Sequence, residues 1–277
     1  MRLMTVALWV GAALRPGGDP GDYADAMKKV AAKFTGREGV VLHLGDSITY
    51  ANPYSAWARY GKGKTAQDEA VCRWMHVGRK DDTDGWSLCS VDRPGGRSET
   101  AAIGVKAHEY LAGGKAGLPA LAELLRKYNP RMAVVMLGTN DASGNRPLAE
   151  YRADMVKIVD LLLANGTIPI LSTIPPHVSR EALARSYSAA LREIARDRRI
   201  PLIDFEGEIL KRRPKDWDGT LLNKGDVHPT ATNGAAAPDA EPTEENLRSS
   251  GYLLRGFLSV RKIAEVKARV LDAREKK

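Results

Sequence analysis

Four short clusters in this 277-residue chain carry groups suited to nucleophilic chemistry. Gly45-Asp46-Ser47-Ile48 offers a hydroxyl, and Pro94-Gly95-Gly96-Arg97-Ser98 offers flexible backbone amides. Gly138-Thr139-Asn140-Asp141 supplies a neutral amide donor, and Gly225-Asp226-Val227-His228-Pro229 an imidazole with a carboxylate two residues before it. Serine is a weak nucleophile until a base takes its proton, and a histidine titrating near neutrality suits that task. Attack on an ester carbonyl creates an oxyanion, which preorganised N–H donors stabilise by about 3 kcal/mol each. A carboxylate on the far ring nitrogen holds the imidazole tautomer and favours its charged form. Ser47, His228 and Asp226 are therefore the candidate nucleophile, base and orienting acid of a two-step acyl transfer.

Such groups work only if the fold gathers them. Val40–Leu44 is a short apolar run between Gly39 and Gly45, as a buried parallel strand requires. Met132–Leu137, Ile168–Ile174 and Ile200–Phe205 read the same way, and a weaker strand is expected over Trp86–Val91. Helical spacing marks Asp22–Phe34, Leu118–Tyr128, Leu148–Ala164, Arg180–Arg198 and most of Leu247–Ala273. Thr49–Gly85 reads as an irregular insertion, and Asn233–Thr243 as a loop. Strands alternating with helices imply an α/β fold, a parallel sheet covered on both faces. Ligands bind such sheets beyond the carboxyl ends of the strands, where all four clusters fall.

Taken together and in this order, Gly45-Asp46-Ser47-Ile48, Gly96, Gly138-Thr139-Asn140-Asp141 and Asp226-Val227-His228-Pro229 resemble the four blocks of the SGNH or GDSL hydrolases. The resemblance covers residues 40 to 230. It implies a flavodoxin-like three-layer α/β/α sandwich with a central parallel sheet of about five strands, and hydrolysis of esters or thioesters with no cofactor and no metal. It also implies an oxyanion hole formed by the Ser47 N–H, the Gly96 N–H and the Asn140 side chain. Gly95 is the alternative to Gly96, which is preferred because the following Arg97-Ser98 is similar to the second block of carbohydrate acetylesterases in the family. The family places its aspartate three residues before the histidine, where this chain has Gly225. Asp226 is the first choice for the acid, a Ser-His dyad with backbone support the second, and Asp218 the third.

Single residues also have plainer readings. Ser47 could cap a helix, Asn140 could fill a turn, and His228 could be a loop histidine. His43, inside an apolar strand, reads as a core histidine, and His177 as a residue that lines the pocket or packs beside it. His76 and His108 lack partners at metal spacing. Asp81-Asp82-Thr83-Asp84 lacks the glycine and glutamate of a calcium loop and reads as a solvated turn. Gly61-Lys62-Gly63-Lys64-Thr65 has Ala58 where a phosphate loop needs its first glycine.

Composition narrows the partners. The net charge of +8 comes from 42 basic and 34 acidic residues mixed along the chain, and the basic runs at Arg196–Arg199 and Lys211–Arg213 lack interleaved aromatics. They read as solvated faces, with no nucleic-acid partner. Cys72 and Cys89 make at most one bridge, or two buried thiols. Met1–Leu14 has the size of a signal-peptide core with Val10-Gly11-Ala12 as a cleavage site, so residues 1–21 read as a leader and linker for export, the alternative being a cytoplasmic protein. No other stretch spans a bilayer, so no membrane insertion is expected once a leader is removed. Residues 22–277 then form one domain with the insertion at 49–85. The expected substrate is a small-molecule or carbohydrate ester, first of all an O-acetyl group. The alternatives are a longer acyl chain, whose groove Trp57, Tyr60, Trp74 and Met75 could line or else simply pack in the core, or a non-catalytic carbohydrate-binding domain. The oligomeric state is left open.

Overall fold

A computed structural model describes residues 23–91, 97–232 and 234–273 of the chain. The expected leader and both Gly95 and Gly96 lie outside those residues.

The apolar runs form a parallel sheet of four strands, β1 (Val41–Gly45), β2 (Met132–Met136), β3 (Ile168–Ser172) and β4 (Leu202–Ile203), in the order β1-β2-β3-β4. Val41 pairs with Met132, and Met132 with Ile168, so the carboxyl ends of β1 and β2 finish level. Every residue of β1, β2 and β3 is buried, which explains their continuous apolar character. A fifth segment touches β1 only as an isolated parallel bridge, Gly45 to Ala101, with the Gly45 N–H donating to the Thr100 carbonyl.

Thirteen α-helices are present among the described residues: α1 (Ala24–Ala31), α2 (Ser47–Tyr50), α3 (Pro53–Tyr60), α4 (Ala66–Trp74), α5 (Gly85–Leu88), α6 (Ala107–Ala112), α7 (Leu121–Tyr128), α8 (Thr139–Ser143), α9 (Leu148–Ala164), α10 (Glu181–Arg198), α11 (Phe205–Arg212), α12 (Glu244–Leu247) and α13 (Gly251–Val266). They flank the sheet in two packed groups. One comprises α6, α7, α9 and α10, and the other is built around α13 with α3, α4 and α11, α5 resting on β1. In α7 the buried residues Leu121, Leu124, Leu125 and Tyr128 follow the spacing of a one-faced helix, and Asn129, in a left-handed conformation, ends it.

In place of the strand expected over Trp86–Val91, the chain forms the short helix α5 (Gly85–Leu88) followed by a turn. Asp84, fully buried, accepts from the Trp86 and Ser87 N–H groups and so starts α5. Asp84 also accepts from the Gly78 N–H at 2.8 Å and meets Arg59 at 3.4 Å, so this end of the acidic turn is structural rather than solvated. The Thr49–Gly85 segment is likewise mostly helical, not irregular. Its Trp57 and Met75 are buried in the core, Trp57 edge-on to Phe257, which removes them from any acyl groove, while Tyr60 is exposed. Cys72 and Cys89 are free, buried thiols.

The basic runs are engaged with neighbouring acids. Arg198 pairs with Asp160, Arg212 with Glu208 and Glu244, and Arg213 with Asp216. No helix among the described residues is long and apolar enough to cross a membrane.

Gly85 reports how closely α5 approaches β1. A Cβ there would stand 1.7 Å from the Val41 carbonyl oxygen, which the strand cannot move without losing its register. Gly85→Ala should therefore lower the unfolding free energy by on the order of 3 kcal/mol in urea titration, and an unchanged midpoint would contradict this packing.

Candidate active site

The site begins where β1 turns into α2. At Gly45 an added Cβ would lie 2.1 Å from the Thr49 Oγ1 and 2.8 Å from the Met136 carbonyl oxygen, so the turn can fold back this tightly only on glycine. The helix cap is Asp46, whose carboxylate accepts from the Ile48 N–H at 3.0 Å. Ser47, the first residue of α2, is thereby released from the capping role that its type suggested. Its own N–H belongs to the amides that a helix start leaves unpaired.

The Ser47 hydroxyl donates to the His228 Nε2 at 2.8 Å. On the far side of the ring, the His228 Nδ1–H donates to both Asp226 oxygens, at 2.9 and 3.0 Å. The acid two residues before the histidine thus reaches the ring, and the loop supplies the compensation. Gly225 adopts a φ of +70°, its N–H donates to Asp218 at 2.7 Å, and the Asp226 N–H donates to the Asn223 carbonyl. Asp218, the third choice for the acid, braces this loop and pairs with Lys224 instead of meeting the imidazole. Burial pushes the Asp226 carboxyl up, but the His228 hydrogen bond, the Val227 N–H and the nearby imidazole charge outweigh it and leave it below its usual range.

Asn140 follows β2 on α8. Its side-chain amide donates to the Asp46 carboxylate at 3.3 Å and to the Val105 carbonyl at 3.2 Å, placing it one residue from the Ser47 turn. Three interactions fix α8. Gly138 takes a φ of +127° against the Tyr151 hydroxyl, which donates to the Leu137 carbonyl. Asp141 accepts from the Ala107 N–H at 3.0 Å and from Arg146, which also pairs with Asp154. Tyr151 stacks on Tyr187 at 4.0 Å, and the Tyr187 hydroxyl donates to the Arg146 carbonyl.

Asp46 is the structural member of the site that the sequence reading passed over, although an aspartate ahead of a short helix is an N-cap signature. It is fully buried, and burial pushes its carboxyl up to about 6 against the Ile48 N–H and the charges of Arg255 and His228. Ser98, two residues past Gly96 in sequence, is buried and accepts from the Thr100 and Ala101 N–H groups, which ties Ser98 to the segment that bridges to β1.

The other histidines stay outside this chain of bonds. His43 is fully buried, as expected of a core histidine, against Trp86 at 3.8 Å and with its pKa driven well down by burial. The His177 Nε2–H donates to the Ser143 Oγ at 3.0 Å, so this nearly buried ring braces the end of α8.

Comparisons with known proteins agree with this architecture. A carbohydrate esterase family 3 protein from Talaromyces cellulolyticus is similar over 82% of this chain and 98% of its own, at 17% identity and a TM-score of 0.55. A GDSL-like lipase from Bacteroides thetaiotaomicron is similar over 89% of this chain and 99% of its own, at 16% identity and a TM-score of 0.52. At these identities the likeness is one of fold. A comparison with curated proteins finds no match. The model of the GDSL-like lipase/acylhydrolase family matches residues 43–232, from the first strand to just past His228. That interval is more than half of the chain, and the protein belongs to the GDSL-like lipase/acylhydrolase family.

Proposed function

We propose that the protein is a serine esterase that cleaves short-chain carboxylic esters, with an O-acetyl group on a carbohydrate as the leading substrate class. The observation that carries this reading is the continuous hydrogen-bond chain from Ser47 through His228 to Asp226. As the Ser47 oxygen attacks the ester carbonyl, His228 Nε2 takes its proton, and Asp226 stabilises the imidazolium. The tetrahedral adduct collapses as His228 returns that proton to the leaving alcohol. A water deprotonated by His228 then attacks the acyl-serine, and the second collapse releases the acid and restores the Ser47 hydroxyl. The Ser47 and Gly96 N–H groups and the Asn140 amide are the assigned oxyanion donors, with one Asn140 proton leaving the Val105 carbonyl or Asp46 to meet the new charge.

A short acyl group is favoured because Trp57 and Met75, two of the apolar residues that would line a chain-length groove, are packed inside the protein. The carbohydrate assignment draws on the Gly96-Arg97-Ser98 sequence and on the fold shared with a carbohydrate esterase.

Three measurements test the reading. Wild type should hydrolyse p-nitrophenyl acetate faster than the octanoate, and Ser47→Ala should abolish both activities; activity that survives the substitution refutes the assignment. Asp226→Ala should lower kcat by roughly 10³-fold with KM little changed, whereas a near-normal kcat would favour a dyad. The Asp46 carboxyl, raised to about 6 in the folded state, binds its proton more tightly there than in the unfolded chain. The stability linked to that proton is fully present below the unfolded value of about 3.9 and is lost as pH rises through the folded value. Thermal melts should therefore show wild type gaining on Asp46→Asn, by on the order of 2 kcal/mol, between about pH 7.5 and about pH 4.5. A difference independent of pH would contradict the burial of an ionised Asp46.

A further inference from the structure

Behind the Ser47 turn lies a charge that the esterase mechanism does not use. Arg255, on α13, is only 3% exposed, and no carboxylate of the described residues lies within 4.0 Å of its guanidinium. An isolated buried cation is costly unless its protons are satisfied. Its Nη1 donates to the Ile48 carbonyl and its Nη2 to the Thr49 Oγ1, each at 2.7 Å, while its plane lies over the Tyr54 ring at 3.7 Å. All three partners belong to the Ser47 turn or to the helix that follows it.

The first two contacts answer a specific need. Helix α2 has four residues, too few to satisfy its own carbonyls, and the Ile48 carbonyl meets a guanidinium where a longer helix would offer an N–H. Thr49 Oγ1 is also the atom against which Gly45 closes, so the Arg255 hydrogen bond to it reaches both ends of the turn.

Arg255 is itself fixed by a polarised chain of hydrogen bonds. The Ser259 hydroxyl donates to the Arg255 carbonyl at 2.9 Å, so the Tyr54 hydroxyl must donate to Ser259 and the His43 Nδ1–H to Tyr54, each at 3.0 Å. That direction puts a proton on the His43 Nδ1, and burial, which drives the ring's pKa well down, makes it the neutral tautomer with a bare Nε2 that has no hydrogen-bond partner among the described residues. The chain runs from β1 to α13 and contains no anion.

We propose that Arg255 is a positioning residue for the nucleophile: its buried guanidinium holds the first turn of α2 by the Ile48 carbonyl and the Thr49 hydroxyl, and so aims the Ser47 Oγ at His228 Nε2. The inference rests on the esterase reading and extends it to α13, which lies beyond the interval that matches the family. The bidentate geometry requires a planar fork, so lysine can satisfy only part of it.

The test compares Arg255→Met, Arg255→Lys and Thr49→Val with wild type by ester kinetics, thermal melting and crystallography. Arg255→Met keeps the bulk but leaves the buried Ile48 carbonyl and Thr49 hydroxyl without their donor, so its Tm should fall modestly while the protein stays folded. Its kcat should fall about 100-fold with KM within about twofold. Arg255→Lys and Thr49→Val, each keeping one of the two hydrogen bonds, should fall in between. In the Arg255→Met crystal structure the Ser47 Oγ should leave hydrogen-bonding distance of His228 Nε2. Retention of that contact, or a wild-type kcat, overturns the role of Arg255. Should Arg255→Met fail to fold, the Lys and Val variants decide: a kcat equal to wild type in both overturns it equally. Activity that persists in Ser47→Ala counts against the esterase reading instead, and the crystallographic distance still judges Arg255.

Discussion

A carboxylate removed from water must find partners, and Asp46 finds them on separate elements of the fold. The Ile48 N–H reaches it from α2 and the Asn140 amide from α8. The charges of Arg255 on α13 and of His228 on its loop favour its ionised form. Because the nucleophile turn and α8 come from distant parts of the chain, satisfying one buried anion sets the relative positions of the nucleophile turn and the amide donor. Burial still wins enough to raise its pKa to about 6, so the anion is held at a cost that the surrounding packing offsets.

The rigidity is uneven in a way that suits the proposed acyl transfer. Ser47 stands on a short helix clamped from below, and Asn140 on one braced by Arg146 and the Tyr151–Tyr187 stack. His228 and Asp226, in contrast, sit half-exposed on a loop that is shaped by Gly225 and Asp218. In the proposed mechanism the base must be reached by the leaving alcohol and the attacking water, whereas the oxyanion donors gain from fixed geometry.

Much of this was legible in the residues. Helix α9 coincides with the expected Leu148–Ala164, and β1, β2 and β3 fall within one or two residues of the apolar runs, because short continuous apolar stretches bounded by turn residues have few other solutions. Ser47 and Asn140 stood out as candidates because each follows a parallel strand, whereas His228, past β4 and α11, stood out as the only late histidine. The strand expected at Trp86–Val91 failed because local capping by Asp84 outweighed the apolar pattern. Thr49–Gly85 looked irregular because its helices are short and start at caps rather than showing long periodicity. Arg255 was invisible for another reason. A single arginine in an amphipathic helix reads as a surface charge until the fold turns it inward beneath a turn some two hundred residues earlier.

The central claim is that Ser47 forms the acyl-enzyme. The most direct measurement is peptide mapping by mass spectrometry after inactivation with a p-nitrophenyl alkylphosphonate, which mimics the tetrahedral adduct. The account predicts one phosphonyl group per chain, on the peptide that contains Ser47, with loss of activity in proportion to labelling. A label on any other residue, or full inactivation with Ser47 unmodified, would contradict it.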